Sequence, residues 1–200
     1  MKYQDFKNII NKPYFSILDI YIQKLNVYSY QISYWQKNGY ISKLKKGFYY
    51  FNDQVENINA KEISFFIYQP SYISLESALS VYGIIPEMVY SNTAVTTKAN
   101  RKIINSFGNF SYRHIHPRLF FGYDSVNTKN GKYLIAEPEK ALLDYLYLNL
   151  GQINDLLDIE GLRFNFLEIK KMNKAKLNKY LKEFNIKKLD KIINLILSLC

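Results

Sequence analysis

Hydrophobic positions follow a helical period from residue 3 to about residue 38 and then switch to a period of two. Tyr3, Phe6, Ile9 and Ile10 share one face of a first short helix, which Pro13 ends because it lacks an N–H and restricts the residue before it. A second helix opens at Ser16, a suitable N-cap, and places Ile17, Ile20, Tyr21 and Leu25 on one stripe. A third is predicted from Ser29 to about Asn38, with Tyr28, Ile32 and Trp35 facing inward and Gly39 at the left-handed stop position. Its outward set is Tyr30, Gln31, Ser33, Tyr34 and Lys37.

Over residues 40–51, Tyr40, Ser42 and Leu44 alternate with Ile41, Lys43 and Lys45, and the pattern resumes in Phe48-Tyr49-Tyr50-Phe51 after Gly47. This predicts a β-hairpin with a basic tip. Three short helices followed by such a hairpin predict a winged helix-turn-helix, in which the third helix enters the major groove and the hairpin lies against backbone or minor groove. The polar run NDQVENINAKE, 52–62, marks a boundary. It divides the chain into an N-terminal domain, 1–55, and a second domain, 56–200.

Beyond it the pattern is mixed. Helices are predicted over Lys61–Tyr68 and from a Ser74 cap to Gly83. Strands are predicted over 92–97 and 110–116, the latter with Phe110, Tyr112, His114 and His116 on one face. Asn130-Gly131 marks a hairpin turn before KYLIA, and Pro138 suits the first turn of the apolar helix EPEKALLDYLYLNL. After Asn173, two amphipathic helices carry Leu177, Tyr180, Leu181 and Phe184, then Leu189, Ile192, Ile193, Ile196 and Leu197. They either pack back on the domain or present a dimer or partner interface. The fold class is α+β, an N-terminal winged helix-turn-helix followed by a mixed α+β domain with C-terminal helices.

Charge sharpens this picture. A formal net charge of +10 over 200 residues predicts attraction to polyanions, either nucleic acid or an acidic surface. Lys43, Lys45 and Lys46, with Lys37 on the preceding helix, form a cationic edge without a local acidic partner, as a phosphate-contacting wing would. The hairpin alone would equally suit a solvated lysine-rich turn; helix and hairpin together favour DNA. Between Glu87 and Asp124 there is no acidic residue, while Lys98, Arg101, Lys102, Arg113 and Arg118 fall inside. Such a block would extend the phosphate track, receive an acidic protein, or serve as a soluble basic face. The candidates for base reading are Tyr30, Gln31, Ser33 and Tyr34. Those for phosphate contact are Lys37, Lys43, Lys45, Lys46, Lys98, Arg101 and Lys102.

Other chemistry is thin. There is no Gly-rich phosphate loop, nucleophile elbow or cluster of metal ligands. His114 and His116 lack thiolate companions, and Glu137, Glu139 and Asp144 are attributed to the helix macrodipole. No catalysis, cofactor or metal is therefore expected; an enzyme using Glu137, Glu139 or His114 is the rival reading. The only cysteine, Cys200, permits neither an internal disulfide nor a thiolate cluster and fits a reducing cytoplasm. The N-terminus MKYQDFKNIINK lacks the apolar centre of a signal peptide, and no stretch approaches the roughly 20 apolar residues of a membrane span. The 19 tyrosines fit composition bias better than a stacking array.

Several stretches taken in succession resemble one family. They are KNGYISKLKKGFYYF closing the N-terminal region, PSYISLESALSVYGIIPE (70–87), AVTTKANRKI (94–103) followed by FGNFSYRHI, and LIAEPEKALLDYLYL (134–148). From residue 1 to about residue 165 the chain resembles the AbiEi-type antitoxins, abortive-infection transcriptional regulators of type IV toxin–antitoxin systems. The resemblance implies a cytoplasmic protein that binds inverted repeats in its own promoter as double-stranded DNA, with a homodimer on that DNA, and represses its operon. It also implies counteraction of a nucleotidyltransferase-like toxin. Some relatives are stand-alone regulators, and a protein-interaction module without antitoxin activity is the alternative.

Overall fold

The chain's apolar residues divide between two cores, and a small sheet contributes one face to each. The computed structural model describes residues 1–86, 90–153 and 155–199, so Glu87 and Cys200 lie outside the described residues. In order come α1 (Tyr3–Ile10), β1 (Tyr14–Ser16), α2 (Ile17–Ile22), α3 (Ser29–Lys37), β2 (Ile41–Lys45) and β3 (Phe48–Phe51). The strands form an antiparallel sheet in the order β1-β3-β2. Because successive side chains on a strand point to opposite faces, Phe15, Ile41, Tyr49 and Phe51 close a small core with Phe6, Ile20, Ile32 and Trp35 from the helices. From the opposite face, Tyr14, Leu44 and Tyr50 enter the larger core of the remaining chain.

Local signals place α1 and α3 within a residue of their expected limits, and Ser16 caps α2 through a capping box with Asp19. The predicted inward stripes are only partly kept. On α2 Ile20 is buried, whereas Ile17 and Tyr21 are exposed, because six helical residues give too short a face to cover both. Tyr28 is the N-cap residue of α3 and is 59% exposed, its ring stacked on Tyr30 instead of the core. The three residues of β1 have no counterpart in the hydrophobic pattern, since a segment that short shows no period.

After a 3₁₀ turn at Asn52–Asn57 follow α4 (Ala60–Ile67), β4 (Ser71–Ile73), α5 (Leu75–Val81), β5 (Ser91–Thr96), β6 (Arg101–Asn105), β7 (Gly108–His114), β8 (Tyr123–Asn127) and β9 (Lys132–Ala136). They build a mixed six-stranded sheet in the order β6-β7-β5-β4-β9-β8. Then come α6 (Pro138–Leu148), α7 (Leu156–Gly161), α8 (Phe166–Lys170), α9 (Lys174–Phe184) and α10 (Lys187–Ser198). The protein is thus mixed α+β with two sheets. The C-terminal helices pack back, burying Leu177, Leu181, Phe184, Leu189, Ile192, Ile193 and Ile196 in the larger core. Among the described residues no helix is long and apolar enough to cross a membrane.

The two regions interlock through side chains. The Tyr14 hydroxyl donates to Glu62 across 3.0 Å, with both residues buried, and the Phe66 ring meets those of Tyr14 and Phe48. Ser106 Oγ donates to the Tyr50 hydroxyl at 3.2 Å. The hairpin is therefore covered on both faces, and only its rim and tip reach solvent.

Candidate nucleic-acid interface

The hairpin turns on Lys46 and Gly47, and Gly47 adopts φ +81°, a conformation that glycine enters without steric cost. Strict alternation would put Lys43 and Lys45 on one face. A β-bulge between them breaks that alternation: Lys43 pairs with Tyr49, and Lys45 pairs with Phe48. Leu44 and Lys45 consequently both address the second region, while Lys43 and Lys46 are exposed. Lys45 is only half-exposed, so the expected basic tip loses one of its three lysines to the seam between the regions.

That displacement joins the two basic features of the sequence. Lys45 Nζ lies 4.2 Å from the centroid of the Phe48 ring and 5.7 Å from that of Tyr68, and Lys98 Nζ lies 5.9 Å from the same Tyr68 ring. Burial, and then the charges of Arg101 and Lys98, lower the pKa of Lys45. Lys98 is held by its loop: Tyr68 donates to the Ala99 carbonyl, Lys98 N–H donates to Thr96 Oγ1, and the His114 ring hydrogen-bonds the Lys98 carbonyl. Arg101 and Lys102 follow as exposed residues at the start of β6, the edge strand nearest β2. Among the described residues none of Lys37, Lys43, Lys45, Lys46, Lys98, Arg101 and Lys102 is in an ion pair.

On α3, Tyr30, Ser33, Tyr34 and Lys37 are exposed. Gln31 differs from the other base-reading candidates in being engaged within the chain. Its Oε1 accepts from Tyr28 N–H at 3.0 Å and its Nε2 donates to the Met1 carbonyl at 2.7 Å, so both polar ends already close the start of the helix. Ser33 Oγ donates to the Ser29 carbonyl and retains its lone pairs as acceptors.

Not all of the 87–124 basic block faces solvent. Arg113 donates to Asn149 Oδ1 and the Leu148 carbonyl, tying β7 to the end of α6. His114 and His116 do not share a strand face either, because β7 ends at His114 and His116 instead caps the 3₁₀ turn at Pro117–Leu119. Among the described residues no group of three or more His, Cys, Asp and Glu is placed to hold a metal.

The acidic residues of α6 also behave differently from a simple macrodipole set. Glu137 accepts from Lys176 and Tyr180, and Glu139 accepts from Asn173 N–H. Burial acts to raise the Glu137 carboxyl, but the Tyr180 and Lys176 hydrogen bonds outweigh it and hold the group below its ordinary value. Asp144 lies beyond the first turn and is fully buried with Lys140, accepting also from Tyr72 and Ser74. Ser74 therefore gives its hydroxyl to Asp144, and the start of α5 is capped from β5 instead, where Thr93 Oγ1 accepts from Ser77 N–H at 2.9 Å. The sequence contained the i,i+4 spacing of Lys140 and Asp144, but nothing local announced that the pair would be dry.

No protein-family model matches the chain, and a search of curated proteins finds no significant match.

Proposed function

We propose that this protein is a DNA-binding transcriptional repressor and antitoxin whose N-terminal winged helix-turn-helix reads duplex DNA. The single observation that carries the reading is the convergence of Lys45 from the hairpin with Lys98 and Arg101 from the second region. Like charges gathered with no carboxylate partner among the described residues raise the energy of the free protein, and a polyanion relieves it. Lys43 and Lys46 on the tip, Lys37 on α3 and Lys102 on β6 are exposed and add to the positive charge available to such a partner. The exposed α3 residues Tyr30, Ser33 and Tyr34 then face base edges, Gln31 being engaged within the chain.

In this reading a homodimer in the cytoplasm occupies inverted repeats in its own promoter, contacts phosphates through the lysines and arginine, and represses its operon. Counteraction of a nucleotidyltransferase-like toxin rests on the resemblance of the quoted motifs. The protein acts by binding, not by turnover.

Fluorescence anisotropy on duplexes from the gene's own upstream region, at several salt concentrations, tests the DNA reading. Specific binding should exceed random-duplex binding, and log affinity should fall linearly with log salt. Equal affinity for both duplexes, or an affinity independent of salt, rejects it. Coexpression with a neighbouring nucleotidyltransferase-like gene tests the antitoxin part through rescue of growth.

A further inference from the structure

A cleft of about 620 Å³ opens where the N-terminal region meets the larger one. Its size lies within the roughly 300–1,000 Å³ of small-molecule sites. Four lysines from four separate segments line it: Lys12 after α1, Lys45 on β2, Lys98 after β5 and Lys132 on β9. Among the described residues none of the four is in an ion pair. Among the described residues the one carboxylate in the lining is Asp19, which accepts from Ser16 N–H and Oγ in the α2 capping box.

Between the lysines lies aromatic surface. Phe48, Phe66 and Tyr68 line the cleft and are only partly buried. Phe66 is fixed by edge contact with Phe48, its centroid 5.1 Å away, and Tyr68 is fixed by its hydrogen bond to Ala99. Tyr68 has a lysine ammonium near its ring centroid in both Lys45 and Lys98, at 5.7 and 5.9 Å. Rigid ring faces beside unpaired cations suit a ligand that combines a planar heterocycle with several negative charges. Stacking recognises the plane, and the ammonium groups recognise the charge.

We infer that the cleft between the two regions binds a free mononucleotide, its base against Phe66 and Tyr68 and its phosphate between Lys45, Lys98 and the rim lysines Lys12 and Lys132. The inference is independent of the DNA reading, although Lys45 and Lys98 belong to both sets. Occupancy by a nucleotide would neutralise part of the edge that duplex DNA needs, making the site a candidate effector site.

Isothermal titration of the full chain with AMP, GMP, adenosine and inorganic phosphate tests it. At least one nucleotide should bind saturably, with adenosine and inorganic phosphate each at least about tenfold weaker, because each supplies half of the recognition. Lys12→Glu combined with Lys132→Glu should weaken nucleotide binding at least about tenfold. These two side chains are exposed, so the fold is retained, which thermal unfolding checks. Lys182→Glu, exposed on α9 and outside the cleft lining, should leave it unchanged. Absence of saturable binding by either nucleotide overturns the inference. So does phosphate binding as tightly as the nucleotide, or a double variant that binds like the parent. Promoter binding measured in parallel separates this failure from failure of the repressor reading.

Discussion

Lys140 and Asp144, one turn apart on α6, form an ion pair in which both side chains are completely buried. Tyr72 completes the cluster, accepting from Lys140 Nζ at 2.9 Å and donating to Asp144 at 2.8 Å, and Ser74 donates to the same carboxylate. The pair joins α6 to β4 and to the start of α5, the centre of the larger region. Removing one member leaves the other charged or unsatisfied in a dry site, so Lys140→Ala and Asp144→Ala should each cost about 3–5 kcal/mol. Replacing both by apolar residues, Lys140→Met with Asp144→Leu, should cost less than either single change. Urea unfolding of the three variants checks the order.

Tyr14→Phe removes the hydroxyl that crosses from β1 to Glu62. The ring can keep its contact with Phe66, but the buried carboxylate is deprived of the hydrogen bond that Tyr14 gives it. Loss of a hydrogen bond to a charged group predicts a cost of about 1.5–3 kcal/mol, read as a lower urea midpoint.

Acid should loosen α9 from α6. The Glu137 carboxyl in the folded state titrates below the ordinary 4.5, held there by Tyr180 and Lys176 against the opposing effect of burial. Its contribution is therefore complete above pH 4.5 and disappears as the pH falls through the lower folded value. Glu137→Gln should lower stability at neutral pH and flatten the acid limb of the stability profile. Denaturant unfolding across that range, variant against parent, measures the difference.

Gln31→Ala should act on stability more than on base preference. Both ends of the side chain are used at the start of α3, and loss of such a cap costs about 1 kcal/mol. The expected result is a reduced melting temperature with an unchanged ratio of promoter to random-duplex affinity.

Lys45→Ala combined with Lys46→Ala should weaken binding to all duplexes alike. The slope of log affinity against log salt should fall by about 0.9 for each phosphate that is no longer neutralised. An unchanged slope in the anisotropy titration would remove both lysines from the interface.

Interactions between near neighbours were enough to set α1 before Pro13, the Ser16 cap, the stop at Gly39, the hairpin turn at Lys46-Gly47, the turn at Asn130-Gly131 and the start of α6 at Pro138. Each follows from backbone geometry or a hydrogen bond spanning a few positions. Which faces those elements bury was set by long-range packing. It placed a bulge that separates Lys43 from Lys45 and engaged Gln31 with Met1. It also enclosed the Lys140–Asp144 pair and brought Lys98 and Lys45 to the same tyrosine ring. These outcomes depend on residues far apart in the chain competing for one solvent-excluded space, and spacing along the sequence carries no record of that competition.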